Sequence, residues 1–418
     1  MNSCSTFTDG HAIHDRLQLD FTIPMTSSRF EQEYGFRRDA VRHENWRDAP
    51  WNVWAFRHVH ELIPTARIVA AGGLAEAPLV DATALTEREL IIDGAPRTVS
   101  SILRDTWTDA ITVMRAGRIV GDWFAPNFTL QSRHIMFSAS KSIAGLLAGM
   151  LTGDGLLDPD APVAHYVPEL APSAFGDARV RHVLDMRTSL AFNEDYLDPN
   201  GLYGRYRRAG LWDPRRDGEA QETVIDLLAA LPRGAGEHGG PFHYCSPNSD
   251  VIGLVIERAS GQRYADFASS RLWQPLGLRH DGCVTVDVAG TARSGGGLCM
   301  TVRDLARIGE LVRLGGAVSG PQLIPADWIE DTLTGGSADA WRQGSFSEWL
   351  PHGKYRNQWY QTGNAGGACF AVGIHGQWLY VDRLHETVIA KFSSQPVPAS
   401  NEAKQLNLAL FDAIATMK

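Results

Sequence analysis

Ser138-Ala139-Ser140-Lys141 sets a hydroxyl and an amine three residues apart, inside the run MFSASKSIAGLLAGM at 136–150. On a helix, residues i and i+3 share a face, so these two side chains meet. A serine at a helix start lies among unpaired backbone N–H groups, where the macrodipole favours developing negative charge. A lysine one turn on, held in an apolar wall, loses its proton more easily than a solvated one and can act as a base. Together they suit acyl transfer through a serine nucleophile. Taken alone, the tetrad reads as an ordinary helix N-cap with a solvated lysine. The reading changes because two further groups line up with it: Tyr244-Cys245-Ser246, and His375-Gly376 on what reads as a late strand.

The elements that must position these groups follow from pattern and punctuation. The run from Ser138 to 152 reads as a helix, with Gly153 and Gly155 as its stop. Ala110 to Arg115 and Arg118 to Phe124 flank Ala116-Gly117 and read as a β-hairpin. Residues 157–240 carry Pro, Asp, Arg and Gly punctuation with short helical patterns at Arg181 to Met186 and Glu222 to Leu231, as in a helical insertion. Val251 to Ala259 and Thr301 to Val312 are amphipathic helices, the second opened by Thr301 with Asp304 at capping-box distance. Gly373 to Val381 and Glu386 to Ser393 have strand character, and Glu402 to Met417 closes the chain as a helix.

Strands early and late imply one sheet completed from both ends of the chain. The expected class is α/β (α+β): an antiparallel sheet flanked by helices, with an inserted, mainly helical subdomain. The expected partition is an N-terminal arm at 1–45, an α/β sheet domain at 46–155 and 290–418, and the helical subdomain at 156–289, which carries the tyrosine motif. The arm is polar and poorly periodic, and Trp46 to Phe56, with three tryptophans, could anchor it. The aromatic and basic patch from Asn193 to Trp212 is expected as a substrate-facing lip.

With 418 residues and a net charge of −9, the chain can bury a large core and is unsuited to nucleic acid or an anionic membrane. No stretch approaches the roughly 18 apolar residues of a membrane span, and the first twenty residues lack a cationic start followed by an apolar core. The five cysteines, Cys4, Cys245, Cys283, Cys299 and Cys369, are scattered and suit free thiols in a reducing cytoplasm. His58-Val59-His60 offers two metal ligands without a third, so no metal is expected. Nothing calls for a cofactor. The expected partner is a small-molecule amide or ester, with a homodimer left open.

The three chemical groups, together with NEDYLDP at 193–199, FHYCSPNSD at 242–250, VRDLARIG at 302–309, TGN at 362–364 and GIHGQ at 373–377, give the chain its resemblance to a family. It resembles the serine β-lactamase and penicillin-binding-protein superfamily, in the class C-like branch of family VIII carboxylesterases and 6-aminohexanoate-dimer hydrolases. The resemblance implies Ser138 as nucleophile, Lys141 and Tyr244 as the proton-transfer pair, and an oxyanion hole from the backbone N–H groups of Ser138 and Ile374. Tyr196, Tyr206, Ser246, Tyr360 and His375 are then the candidate substrate contacts. Where penicillin-binding relatives carry Lys-Thr-Gly, this chain has His375-Gly376, an imidazole mostly neutral at pH 7 and expected to charge toward pH 5.5. An anionic β-lactam is therefore expected to be a poor substrate. At the lip position where a relative holds a cationic amine with aspartate stands Tyr206 among arginines, which favours a neutral or anionic acyl substrate.

Three functions fit: a serine hydrolase working through an acyl-enzyme, a transacylase passing the acyl group to an amine or alcohol, and a non-catalytic acyl-binding sensor. Retention of all three catalytic groups speaks against the sensor. The absence of a Gly-x-Ser-x-Gly elbow speaks against an α/β-hydrolase.

Overall fold

The computed structural model describes residues 27–92, 94–317 and 320–417. The chain divides into two compact units, Met1–Ala40 and Val41–Lys418. The first contains a helix, Ser27–Tyr34, and a short turn of 3₁₀ helix, Arg38–Ala40. Residues 1–26 of the expected arm lie outside the described residues.

The larger unit is organised on a seven-stranded antiparallel sheet. Its strands run, edge to edge, Arg118–Phe124, Thr108–Arg115, Thr387–Ser393, Gln377–Asp382, Cys369–Gly373, Trp359–Gln361 and Lys354–Arg356. The first two form the expected hairpin. Their turn has positive φ at both Ala116 (47°) and Gly117 (79°), the geometry that matches strand twist across a two-residue loop. Pairing of Val113 with Ile389 joins the early hairpin to the last strand, so both ends of the chain complete one sheet, as the pattern implied. The final helix, Asn401–Thr416, packs on one face of this sheet, placing Leu410, Phe411 and Ile414 against Trp378 and Tyr380. A second, four-stranded sheet orders Thr65–Ile68, Gly282–Thr285, Leu298–Met300 and His134–Ile135.

One expected strand is broken. Gly373 to Val381 is not continuous: one strand ends at Gly373, the next begins at Gln377, and these two residues pair. Ile374-His375-Gly376 form the tip between them, with φ of 60° at His375 and 89° at Gly376. The apolar run on both sides hid this turn, because each strand is buried on both faces and shows no alternation.

The helix bearing the Ser-x-x-Lys lysine, Ser140–Gly153, is buried without a gap from Ser140 to Leu151. Its glycines allow that. A Cβ at Gly145 would lie 2.1 Å from the Asn357 carbonyl oxygen, and one at Gly149 would lie 2.4 Å from the Trp328 indole. Three hydrogen bonds pin the helix at this depth: Ser142 Oγ to Gln358 O at 2.7 Å, Trp359 Nε1 to Ser142 O at 3.1 Å and Trp328 Nε1 to Gly145 O at 3.2 Å. Between this helix and residue 290 the chain is mainly helical, with Leu202–Ala209, Val224–Ala230 and Ser246–Ser260 among its helices. Among the described residues no helix is long and apolar enough to cross a membrane.

Candidate active site

Ser138 lies in a single 3₁₀ turn, Phe137–Ala139, immediately before the long helix. Phe137 takes a positive φ of 44°, a strained conformation for an aromatic residue, and it turns the chain sharply out of the small sheet. Gly373 makes room for this turn: a Cβ there would lie 2.2 Å from Met136 O and 3.1 Å from Ser138 N. The glycine thus brings the hairpin against the backbone of the serine turn.

Lys141 is the centre of the site. Its Nζ lies 3.0 Å from Ser138 Oγ, 2.9 Å from Ser246 Oγ and 2.5 Å from the Gly295 carbonyl oxygen. It also sits 5.2 Å from the centroid of the Tyr244 ring. Burial lowers the lysine to about 8 despite the opposing pull of the Glu194 and Asp250 carboxylates; the Arg293 guanidinium pushes the same way as burial. The carbonyl of Gly295 can only accept, so it holds one lysine proton in either charge state. In the neutral amine, the lone pair is therefore free to face Ser138.

Tyr244 faces the Ser138 hydroxyl. Burial, and after it the Glu194 carboxylate, raise its phenol well above the usual range, so the resting group is neutral phenol. Of the two groups, the lysine is the one that can be a free base near neutrality.

The supports of this centre come mostly from residues to which the sequence reading assigned no role. Glu194 accepts the Ser246 backbone N–H at the start of the Ser246–Ser260 helix and, at 3.0 Å, the Tyr196 hydroxyl. Asp250 lies one turn after Ser246, and its Oδ1 accepts Gly295 N at 2.7 Å. Its Oδ2 accepts the Tyr206 hydroxyl at 2.6 Å and forms an ion pair with Arg293, whose Nε lies 3.0 Å away. Asp250 thereby fixes the peptide whose carbonyl fixes Lys141. Both acids stand in the motifs NEDYLDP and FHYCSPNSD, Glu194 two residues from Tyr196 and Asp250 four from Ser246. That helical spacing is the signal that could have exposed the second.

The expected substrate contacts separate into three kinds. Ser246 is a hydrogen-bond partner of Lys141 and lines the recess of Ser138 together with Ile374. Tyr196, Ile374 and His375 line the larger cavity, of about 220 Å³, that adjoins this recess through Tyr203 and Trp212. Tyr206 and Tyr360 need correction as substrate contacts. The ring of Tyr206 borders the recess, but it is 2% exposed, with its hydroxyl committed to Asp250 and Arg293 lying 4.1 Å over its face. Tyr360 is packed in the aromatic core, stacked on Phe370 at 5.1 Å and edge-on to Tyr355 at 4.7 Å. A β-strand side chain in a two-sided core had no pattern to distinguish it from a cleft residue.

His375 also behaves differently from expectation. Nδ1 lies 2.6 Å from the Gln395 carbonyl, and Phe56 and Phe137 enclose the ring. Burial lowers the imidazole to about 4. Acidification to pH 5.5 leaves it neutral.

Among the described residues, one group of metal-ligand type, Glu76, His280 and Asp304, comes within 4.8 Å. Arg307 already bonds both carboxylates and Arg303 bonds Glu76, so the place of a cation is filled.

A family model described as Beta-lactamase matches residues 100–413. Over 356 residues, 85% of this chain and 88% of the relative, the sequence is 39% identical to the 6-aminohexanoate-dimer hydrolase of Paenarthrobacter ureafaciens. In structure, a Bacillus anthracis protein provisionally named 6-aminohexanoate-dimer hydrolase matches with a TM-score of 0.82 at 23% identity, covering 90% of this chain and 97% of that one. A family VIII carboxylesterase matches with a TM-score of 0.54 at 15% identity, over 75% of this chain and 96% of the other. These two structural likenesses concern the fold. On the span of the family model and the extent of the 39% identity, the chain belongs to the Beta-lactamase family.

Proposed function

We propose that this protein cleaves a carboxylic amide or ester through an acyl-enzyme on Ser138. The observation that carries the reading is the buried Lys141 amine, held between the Ser138 hydroxyl and an acceptor-only carbonyl and depressed to about 8. Neutral Lys141 takes the Ser138 proton as Oγ attacks the carbonyl carbon. The oxyanion is met by the backbone N–H groups of Ser138 and Ile374. Tyr244 passes the proton to the departing nitrogen or oxygen, and water then attacks the acyl-enzyme by the reverse route. The name of the 39% identical relative, 6-aminohexanoate-dimer hydrolase, supports the amide and ester class. The free, buried thiols of Cys245, Cys283, Cys299 and Cys369 accord with the cytoplasmic location in this proposal.

The test is intact-protein mass after mixing with activated esters, amides and β-lactams. The expected result is a mass gain equal to the acyl group, mapped to the peptide containing Ser138, with the cephalosporin adduct forming far more slowly than the ester adduct. An adduct on another residue, or none with any acyl donor, overturns the proposal. Transfer to added hydroxylamine in preference to water would move the reading to a transacylase.

A pH profile probes the same base. With Lys141 near 8, kcat/KM rises with pH as the amine is deprotonated and levels off above that value. The Glu194 carboxylate raises Lys141, so Glu194→Gln lowers the base. The acid limb is then expected to move down by about one pH unit. A limb that stays in place, with only its height reduced, would leave Glu194 a purely structural brace.

A further inference from the structure

The cavity outside the Ser138 recess is lined by two arginines that the reaction above does not use, Arg47 and Arg207. They come from distant parts of the chain and share one carboxylate. Arg47 Nη2 bonds Asp213, and Arg207 Nε bonds the other oxygen of Asp213 at 2.7 Å. Their remaining fixed contacts are carbonyls: Arg47 Nη1 on Trp212 O at 3.1 Å, and Arg207 Nη1 on Tyr196 O at 2.9 Å. Each guanidinium is also held by an aromatic ring, Arg47 5.2 Å from the Trp46 centroid and Arg207 5.3 Å from that of Tyr203. Among the described residues this leaves Arg47 Nε and Arg207 Nη2 without a hydrogen-bond partner.

Two cations against one shared anion leave a surplus positive charge at the cavity wall. All three side chains are sheltered, at 16% exposure for Arg47, 11% for Arg207 and 17% for Asp213. The second acid of the lining, Asp48, is exposed on the rim, where water and salt screen it. Guanidiniums held in place in this way suit a planar carboxylate, and their rotamers are fixed before a ligand arrives. The cavity shares Ile374 with the Ser138 recess, so one extended molecule can fill both.

From this geometry we infer that the Arg47–Arg207 pair is a carboxylate-binding subsite, and that the substrates are amides or esters carrying a carboxylate several bonds from the scissile carbonyl. The inference rests on the acyl-enzyme reading and names the substrate class for it. It also separates two kinds of anion. The β-lactam carboxylate that relatives hold beside the late strand meets neutral His375 here, whereas a carboxylate at the end of a flexible chain reaches the arginines.

Two matched substrate pairs test it on the wild-type protein. For an acyl-side carboxylate, the p-nitrophenyl half-ester of adipic acid is compared with p-nitrophenyl hexanoate, which has the same chain length. For a leaving-group carboxylate, the hexanoyl ester of 4-hydroxybenzoate is compared with that of 4-hydroxybenzamide. The expected result is a preference of about tenfold or more in kcat/KM for the charged member of at least one pair, shrinking as salt rises from low to about 0.5 M. In Arg207→Gln and Arg47→Gln, that ratio falls toward one. A wild-type ratio at or below one in both pairs overturns the subsite while leaving the hydrolase intact, and so does a ratio that both variants retain. If no member of either pair acylates the protein, the acyl-enzyme reading fails and the subsite fails with it.

Discussion

In Ser138→Ala, turnover of a short-chain p-nitrophenyl ester is expected to fall by about a thousandfold or more, with circular dichroism and the melting temperature close to wild type. The size of the loss follows from removing a covalent nucleophile, after which only binding and the oxyanion donors remain. The structure also explains why stability should be spared. Ser138 is half-buried in a small recess, and Lys141 keeps its hydrogen bonds to Ser246 and Gly295 when the hydroxyl goes. No buried charge is left without a partner, and the lost atom opens no apolar void. Retention of more than about a hundredth of the activity would show that another residue carries the acyl group.

The second large effect is expected at the base pair. Lys141→Ala and Tyr244→Phe should each slow acylation by about 10² to 10⁴, the usual worth of a positioned proton carrier. If both serve the one proton path proposed, combining them should cost little more than the worse single change, since removing either already interrupts it. Their structural consequences differ. Lys141→Ala strips a partner from the Ser246 hydroxyl and the Gly295 carbonyl, both buried, and a drop in melting temperature is expected with it. Tyr244→Phe keeps the ring against Phe346, 5.1 Å away, and should melt near wild type. Losses in log rate that add cleanly, measured by stopped-flow acylation, would assign the two residues to separate steps.

These effects converge on one local arrangement. The serine turn is strained at Phe137, the hairpin tip at Ile374-His375-Gly376 closes over it, and the Gly295 carbonyl reaches in from a third segment. A site built from three segments far apart in the chain depends on the surrounding core to hold its geometry. That is why the helix behind it is buried from Ser140 to Leu151 and pinned by tryptophans.

Much of this was legible in the residues themselves. The Ser138-x-x-Lys141 spacing dictated that a hydroxyl and an amine share a helical face, and the order of strands and helices dictated a sheet closed by both ends of the chain. The hairpin at Ala116-Gly117 and the helix opened by Thr301 are local matters of turn chemistry and capping, and they lie where the pattern put them. What only the tertiary structure decided was each long-range pairing. Periodicity cannot report which carboxylate reaches which amide: spacing puts Asp250 on the helical face of Ser246, but its bond to Gly295, Glu194 on Ser246, and Asp213 between Arg47 and Arg207 are set by the fold. Nor can it distinguish a buried tyrosine from one in a cleft when both faces of a strand are covered, which is why Tyr360 looked available and is packed in the core. Residue types and spacing determined the chemistry the chain could perform. The depth to which Lys141 and His375 are buried, a property of the whole fold, determined their charge: an amine lowered to about 8 and an imidazole lowered to about 4.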